Sequence, residues 1–170
     1  MRTRRARLAD APSIHALIAR YAAEGLLLPR EESEIREHIC RFLVVGGQSK
    51  LAGCVALEAY GASLAEIRSL AVAPEFRGCG LGARLIEFAL GEARRRRIGR
   101  VFAVTQSPRF FLRQGFQASS RAAISEKMQR DCRNCPKLLS CRLAAVIIDL
   151  LPERRALRVV GAPAISASVA

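Results

Sequence analysis

Residues 70–83 read LAVAPEFRGCGLGA, and the order of residue types in this stretch sets the architecture around it. Leu64 to Val72 is apolar and β-branched enough for a strand, and Pro74 cannot continue a hydrogen-bonded ladder. Gly78, Gly80 and Gly82 then precede a run in which Leu85, Ile86, Phe88 and Ala89 recur at helical spacing. A strand, a glycine-rich loop and a helix N-terminus in succession make an anion site. The loop brings backbone close to a ligand, and the first helical N–H groups have no partner inside the helix. A pyrophosphate fits such a cradle, with Arg77 adding a charge-assisted hydrogen bond. The spacing G-x-G-x-G departs from the dinucleotide loop G-x-G-x-x-G. The loop also does not follow the first strand, which disfavours a nicotinamide enzyme.

Working outward, Phe42 to Val45 and Leu51 to Leu57 form a hairpin ahead of the 64–72 strand. Before them, Arg4 to Leu8 is a first strand. A helix follows, with Asp10 as its N-cap, Pro12 in its first turn and Gly25 as its stop. Glu31 to Arg41 is a second, short amphipathic helix. Downstream, Val101 to Thr105 is a strand, and Pro108 opens a short helix through Gln114. Gly115 and Phe116 start another strand, and Ala144 to Leu151 is the last. The predicted order is β-α-α-β-β-β-α-β-α-β-β, an α/β (α+β) chain with a mixed central sheet flanked by helices. One domain is expected across residues 1–152, with a cysteine-containing loop at 131–141. The patternless stretch 153–170 reads as a loosely ordered C-terminal tail.

The chain carries 28 Lys plus Arg against 15 Asp plus Glu, a formal charge of +13. That field attracts phosphates, nucleic acid or an anionic surface without choosing among them. A base-reading helix is not recognisable, and aromatics for stacking are few, which weighs against nucleic acid. No apolar run approaches the roughly 20 residues that cross a bilayer. MRTRRARLADAP at the start lacks the apolar core of a secretion signal, so no membrane partner and a cytoplasmic location are expected.

The segment Val72 to Gly82 resembles motif A of the GNAT acetyltransferases, Q/R-x-x-G-x-G/A, with Arg77, Gly80 and Gly82 at its fixed positions. The resemblance implies the GNAT fold and an acetyl-CoA cosubstrate. Its pyrophosphate would rest on the loop amides of Arg77, Gly78, Cys79, Gly80, Leu81, Gly82 and Ala83. Its pantetheine would run along main-chain groups of Leu70, Ala71 and Val72. A closer likeness is to the short-form amino-acid N-acetyltransferases, the N-acetylglutamate synthases of arginine biosynthesis. It rests on GLLLPR at 25–30, AEIRSLAV at 65–72, VFAVT at 101–105 and RFFLRQGF at 109–116. It implies a small amino acid, L-glutamate, as acceptor, and is compatible with a homodimer.

The chemistry needs a base for the substrate ammonium and a proton for the departing thiolate. The resemblance assigns the first to Glu66 and the second to Thr105. Phe110 and Phe111 lie where many relatives carry an acidic tyrosine, and Gln106 where an aromatic is common. Arg30 and Arg68 are the expected anchors for a dicarboxylate, because a guanidinium can bind both oxygens of a carboxylate. Arg68 shares a strand face with Glu66. Acetylation of another amine, such as a protein N-terminus, a polyamine or a drug, is the competing acceptor reading. Cys132, Cys135 and Cys141 offer three thiolates to a structural zinc, and the alternatives are a redox pair or simple packing.

Overall fold

The computed structural model describes residues 1–47, 50–135 and 141–150. The predicted tail at 153–170 and part of the cysteine loop lie outside them. The elements are β1 (Arg2–Arg5), α1 (Ala11–Ala23), α2 (Glu32–Glu37), β2 (Phe42–Gly46), β3 (Leu51–Ala59) and β4 (Leu64–Val72). They continue with α3 (Leu81–Arg95), β5 (Arg100–Thr105), α4 (Pro108–Leu112), β6 (Gln117–Ser119), α5 (Ser125–Lys127) and β7 (Ala144–Asp149). The predicted order of strands and helices is reproduced. One element is added: α5, prolonged by a π-helical turn at Met128–Cys132.

Seven strands form one mixed sheet in the order β1-β2-β3-β4-β5-β7-β6. Among the described residues only β4 and β5 run parallel, and β7 inserts between β5 and β6. One face packs α3 through Leu81, Leu85, Ile86 and Ala89 onto Leu43, Val55 and Ile67. The other packs α1 and α2 through Ile14, Ile18 and Ile35 onto Phe42, Val44 and Ala56. The apolar stripes read from the sequence are the faces that are buried.

β1 ends at Arg5, short of the predicted Leu8, because Leu8–Asp10 tightens into a 3-10 turn. The Asp10 carboxylate closes that turn, accepting from the Arg7 N–H at 2.6 Å and from Arg4 at 2.7 and 2.8 Å. It therefore does not cap α1. α2 stops at Glu37, and Ile39–Arg41 is a separate 3-10 turn.

Two irregularities open the centre of the sheet. Between Arg68 and Ala71 the register of β4 against β3 shifts, and Ser69 takes φ 53°, the signature of a bulge. β4 pairs with β5 only from Leu64 to Glu66, although both strands run further. Beyond Glu66 and Phe102 the two strands are therefore splayed, and among the described residues the β4 edge from Ile67 onward has no ladder partner on that side.

Glu92 on α3 is fully buried, and Arg5, Arg95 and Arg96 donate to it at 2.6 to 3.2 Å. Burial alone would raise this carboxyl. The hydrogen bonds from Arg95, Arg5 and Arg96 outweigh burial and hold it at about 2. Its stabilising effect is complete above the ordinary carboxyl value and is lost as pH falls toward about 2. Because the arginines are partly exposed, Glu92→Gln should cost about 1–2 kcal/mol at neutral pH. Thermal melts at pH 7 and at pH 2 check this, with the two proteins converging at the acid end.

Candidate functional site

The loop between β4 and α3 departs from the strand at Pro74 and returns through Gly78 (φ 77°) and Gly80 (φ 73°), a left-handed backbone that glycine adopts without strain. A side chain at either would meet nothing within 4 Å, so the surface above them is open. Gly82 has a different reason. A Cβ there would sit 3.1 Å from the Phe110 ring, so this glycine lets α4 pack against α3. Leu81, Gly82 and Ala83 are the first three residues of the 15-residue helix, and their N–H groups have no intrahelical acceptor.

Arg77 lies folded over Tyr21 of α1, its guanidinium 5.1 Å from the ring centroid, donating to the phenol oxygen at 2.8 and 3.0 Å. Tyr21 in turn donates to the Val72 carbonyl. The arginine of the loop and the end of β4 are thus tied to α1 through one hydroxyl. Helical spacing marks Tyr21 as core, and its polar tip has no signature in the sequence.

On the face that packs α1, Glu58 of β3 and Glu66 of β4 are opposite each other in the ladder, 4 % and 3 % exposed. Glu66 Oε2 accepts from Lys127 Nζ at 2.8 Å and from the Tyr60 hydroxyl at 2.9 Å, with Arg68 at 4.0 Å. Glu58 accepts from Arg41 at 2.6 Å, Arg68 at 2.8 Å and Arg130 at 3.0 Å. Burial acts to raise Glu58, but Arg68, Arg41 and Arg130 together hold its carboxyl below the usual range. The same Tyr60 hydroxyl is within hydrogen-bond reach of Asp131, so its one hydrogen can go to either carboxylate, and Lys127 and Arg130 approach Asp131 as well.

Arg30, Arg41 and Arg68 line one small surface groove together with Glu34, His38 and Glu58. The two arginines expected from the sequence are thus brought together. Arg30 pairs with Glu34 one helical turn on, and its carbonyl bonds the His15 ring. Arg41 was missed because it sits in the 3-10 turn that replaces the end of the predicted second helix. Lys127 and Asp131 were missed because residues 125–132 mix α and π turns and show no period.

Thr105 ends β5, three residues past its last pairing with β4. Its Oγ1 accepts from the Ser107 N–H at 2.9 Å, so its own hydrogen remains free to donate. Next to it, Gln106 donates to the Gly25 carbonyl at 3.0 Å and links β5 to the loop after α1.

The zinc expectation finds no support. Cys132, Cys135 and Cys141 do line one pocket, but Val104, Ile124, Met128 and Leu143 make it apolar, and the Lys127 ammonium shares it. Burial pushes the Cys132 thiol up. Among the described residues no group of His, Cys, Asp and Glu could hold a metal ion. No described helix is long and apolar enough to cross a membrane.

Residues 11–116 match the Acetyltransferase (GNAT) family. An uncharacterized N-acetyltransferase of Chlorobaculum tepidum is 40% identical over 147 residues, covering 86% of this chain and 95% of that protein. An amino-acid acetyltransferase of Neisseria meningitidis is 35% identical over 133 residues, 77% of this chain and 30% of its own. Among solved structures, N-acetylglutamate synthase from Neisseria gonorrhoeae, complexed with coenzyme A and N-acetyl-glutamate, superposes with a TM-score of 0.81 at 30% identity. That match covers 89% of this chain and 35% of the neighbour. The chain therefore spans about a third of the length of the Neisseria proteins and nearly all of the Chlorobaculum one. Fold, loop and family match agree: the chain belongs to the GNAT acetyltransferase family and is an acyltransferase that draws on acetyl-CoA.

Proposed function

We propose that this enzyme acetylates the α-amino group of L-glutamate, the step that opens arginine biosynthesis. The observation that carries the reading is the groove in which Arg30, Arg41 and Arg68 surround a space beside the buried Glu66. Three guanidinium groups against the two carboxylates of Glu34 and Glu58 leave the groove an excess of cations, which suits a dicarboxylate better than a polycationic amine. The names of the Neisseria relatives, and the N-acetyl-glutamate bound in the solved one, support the same acceptor.

In this reading the amides from Gly78 to Ala83 and the N-terminal end of α3 hold the pyrophosphate of acetyl-CoA. Arg77 swings from Tyr21 to reach it. The unpaired edge of β4 at Leu70, Ala71 and Val72 offers main-chain partners to pantetheine. The Val72 carbonyl keeps a second lone pair while Tyr21 occupies the first. Glu66 takes a proton from the substrate ammonium, and the freed amine attacks the thioester carbonyl. The C–S bond breaks as the amide forms, the nitrogen gives up its second proton to water, and Thr105 hydrogen-bonds the departing thiolate. A hydroxyl is a weak acid, so water or a stronger group supplies the proton that the thiol finally keeps.

The groove predicts a preference for glutamate over its neutral isostere glutamine. Arg30→Ala or Arg41→Ala should each raise KM for glutamate about 10-fold to 100-fold, the worth of one charged hydrogen-bonded contact. KM for acetyl-CoA should stay put. Steady-state comparison of glutamate and glutamine with the wild-type enzyme tests the proposal, and equal kcat/KM for the two would refute it.

A further inference from the structure

We propose that Tyr60 and Asp131 form a side-chain relay that carries to solvent the proton Glu66 collects. The inference rests on the reading of Glu66 as the base and adds the question of where its proton goes. Glu66 is 3 % exposed and Tyr60 6 %, so a proton arriving on this carboxylate has no direct contact with bulk water. The Asp131 side chain is 28 % exposed. The Tyr60 hydroxyl lies between the two, 2.9 Å from Glu66 Oε2 and hydrogen-bonded to Asp131 Oδ2. With Glu66 protonated, its O–H can donate to the Tyr60 oxygen while the Tyr60 O–H donates to Asp131, which is the arrangement a proton hop requires.

The step balances without any change in electrons. The carboxyl O–H of Glu66 passes its proton to the Tyr60 oxygen as the Tyr60 O–H passes its own to Asp131. Asp131 then releases the proton to water, and the Tyr60 hydroxyl turns back. No phenolate accumulates; burial, with the two carboxylates beside it, raises the Tyr60 phenol and keeps it neutral. Burial would also raise Asp131, but hydrogen bonds from Tyr60, Arg130 and Lys127 overcome this and hold it at about 2, so it does not retain the proton.

The remaining groups around the relay are cations and one further acid. Lys127 Nζ lies 2.8 Å from Glu66, 3.3 Å from Asp131 and 3.4 Å from the Tyr60 oxygen. Arg130 stacks 3.6 Å from the centre of the Tyr60 ring, and Arg68 is 3.6 Å from Asp131. Glu58 is shared by Arg41, Arg68 and Arg130 and makes no hydrogen bond to Tyr60. The cations beside Asp131 favour its ionised form between turnovers.

Tyr60→Phe, Asp131→Ala and the isosteric Asp131→Asn test the relay, with circular dichroism to confirm folding. Each should lower kcat by less than the base itself contributes, about 10²-fold to 10⁴-fold, with both KM values unchanged. In Asp131→Ala, small bases such as acetate or imidazole should restore turnover in proportion to their concentration, which a purely structural defect would not allow. Wild-type kcat in Tyr60→Phe and Asp131→Asn, or a loss that no added base restores, overturns the relay. Glu66→Gln is run beside them: if it is inactive while the relay variants are normal, the base stands and only the relay falls. Should Glu66→Gln keep full activity, the base and the relay fall together.

Discussion

Glu66→Gln should lower kcat for acetyl transfer by about 10²-fold to 10⁴-fold, the span that a positioned general base contributes. Glutamine keeps the volume and can accept the hydrogen bonds that Tyr60 and Lys127 make to Oε2, so the pocket keeps its shape. What it lacks is the ability to take a proton. Residual turnover then depends on substrate that arrives as free amine, and below the amine pKa that fraction grows about tenfold per pH unit. The variant's rate should therefore climb log-linearly with pH over the neutral range, with KM for acetyl-CoA unchanged. A pH series of steady-state rates separates this from misfolding, which would lower activity at every pH alike.

Ala83→Asp should abolish cofactor binding without harming the fold. Ala83 is the third residue of α3, where a carboxylate interacts favourably with the helix dipole and can accept from free N–H groups. The same carboxylate would stand in the cradle proposed for the pyrophosphate and repel it. KM for acetyl-CoA should rise by about 100-fold or more, since two or more charged hydrogen bonds are lost and a repulsion is added. The melting temperature should stay level or rise. Calorimetric titration with coenzyme A and a thermal melt check both halves, and unimpaired binding would show that the anion sits elsewhere. Gly82 is a poorer choice for this test because any side chain there collides with Phe110 and disturbs packing as well as binding.

The loop was legible because its information is local. Three glycines, a proline that ends a strand and a helical apolar period lie within about twenty residues. Strand β4 with Glu66 and Arg68 was legible for the same reason, since strand alternation alone puts those two side chains on one face. Groups supplied by other elements were not legible. Tyr60 and Asp131 are 71 positions apart and meet only because residues 125–132 fold back onto the sheet. That segment is built from short α and π turns whose residues follow neither the 3.6 nor the 2.0 repeat. Arg41 was hidden by a helix that ends sooner than its charge pattern suggests. The place of β7 between β5 and β6 was out of reach too, because chain order does not fix sheet order.

Asp10 shows how a correct residue type can carry the wrong role. An aspartate before Ala-Pro is a reasonable N-cap, yet the Arg4 guanidinium and the free N–H of Arg7 outcompete the helix for its oxygens. The three cysteines make a similar point about metals. They meet at one pocket with largely apolar walls, and among the described residues no group that could hold a metal forms there.

The measurement that bears most directly on the whole account is thiol release from acetyl-CoA by the purified chain, offered each common amino acid in turn and spermine as a cationic control. The account predicts release with L-glutamate far above every other acceptor, with N-acetyl-glutamate as the product. Release with spermine or a neutral amino acid and none with glutamate would contradict it.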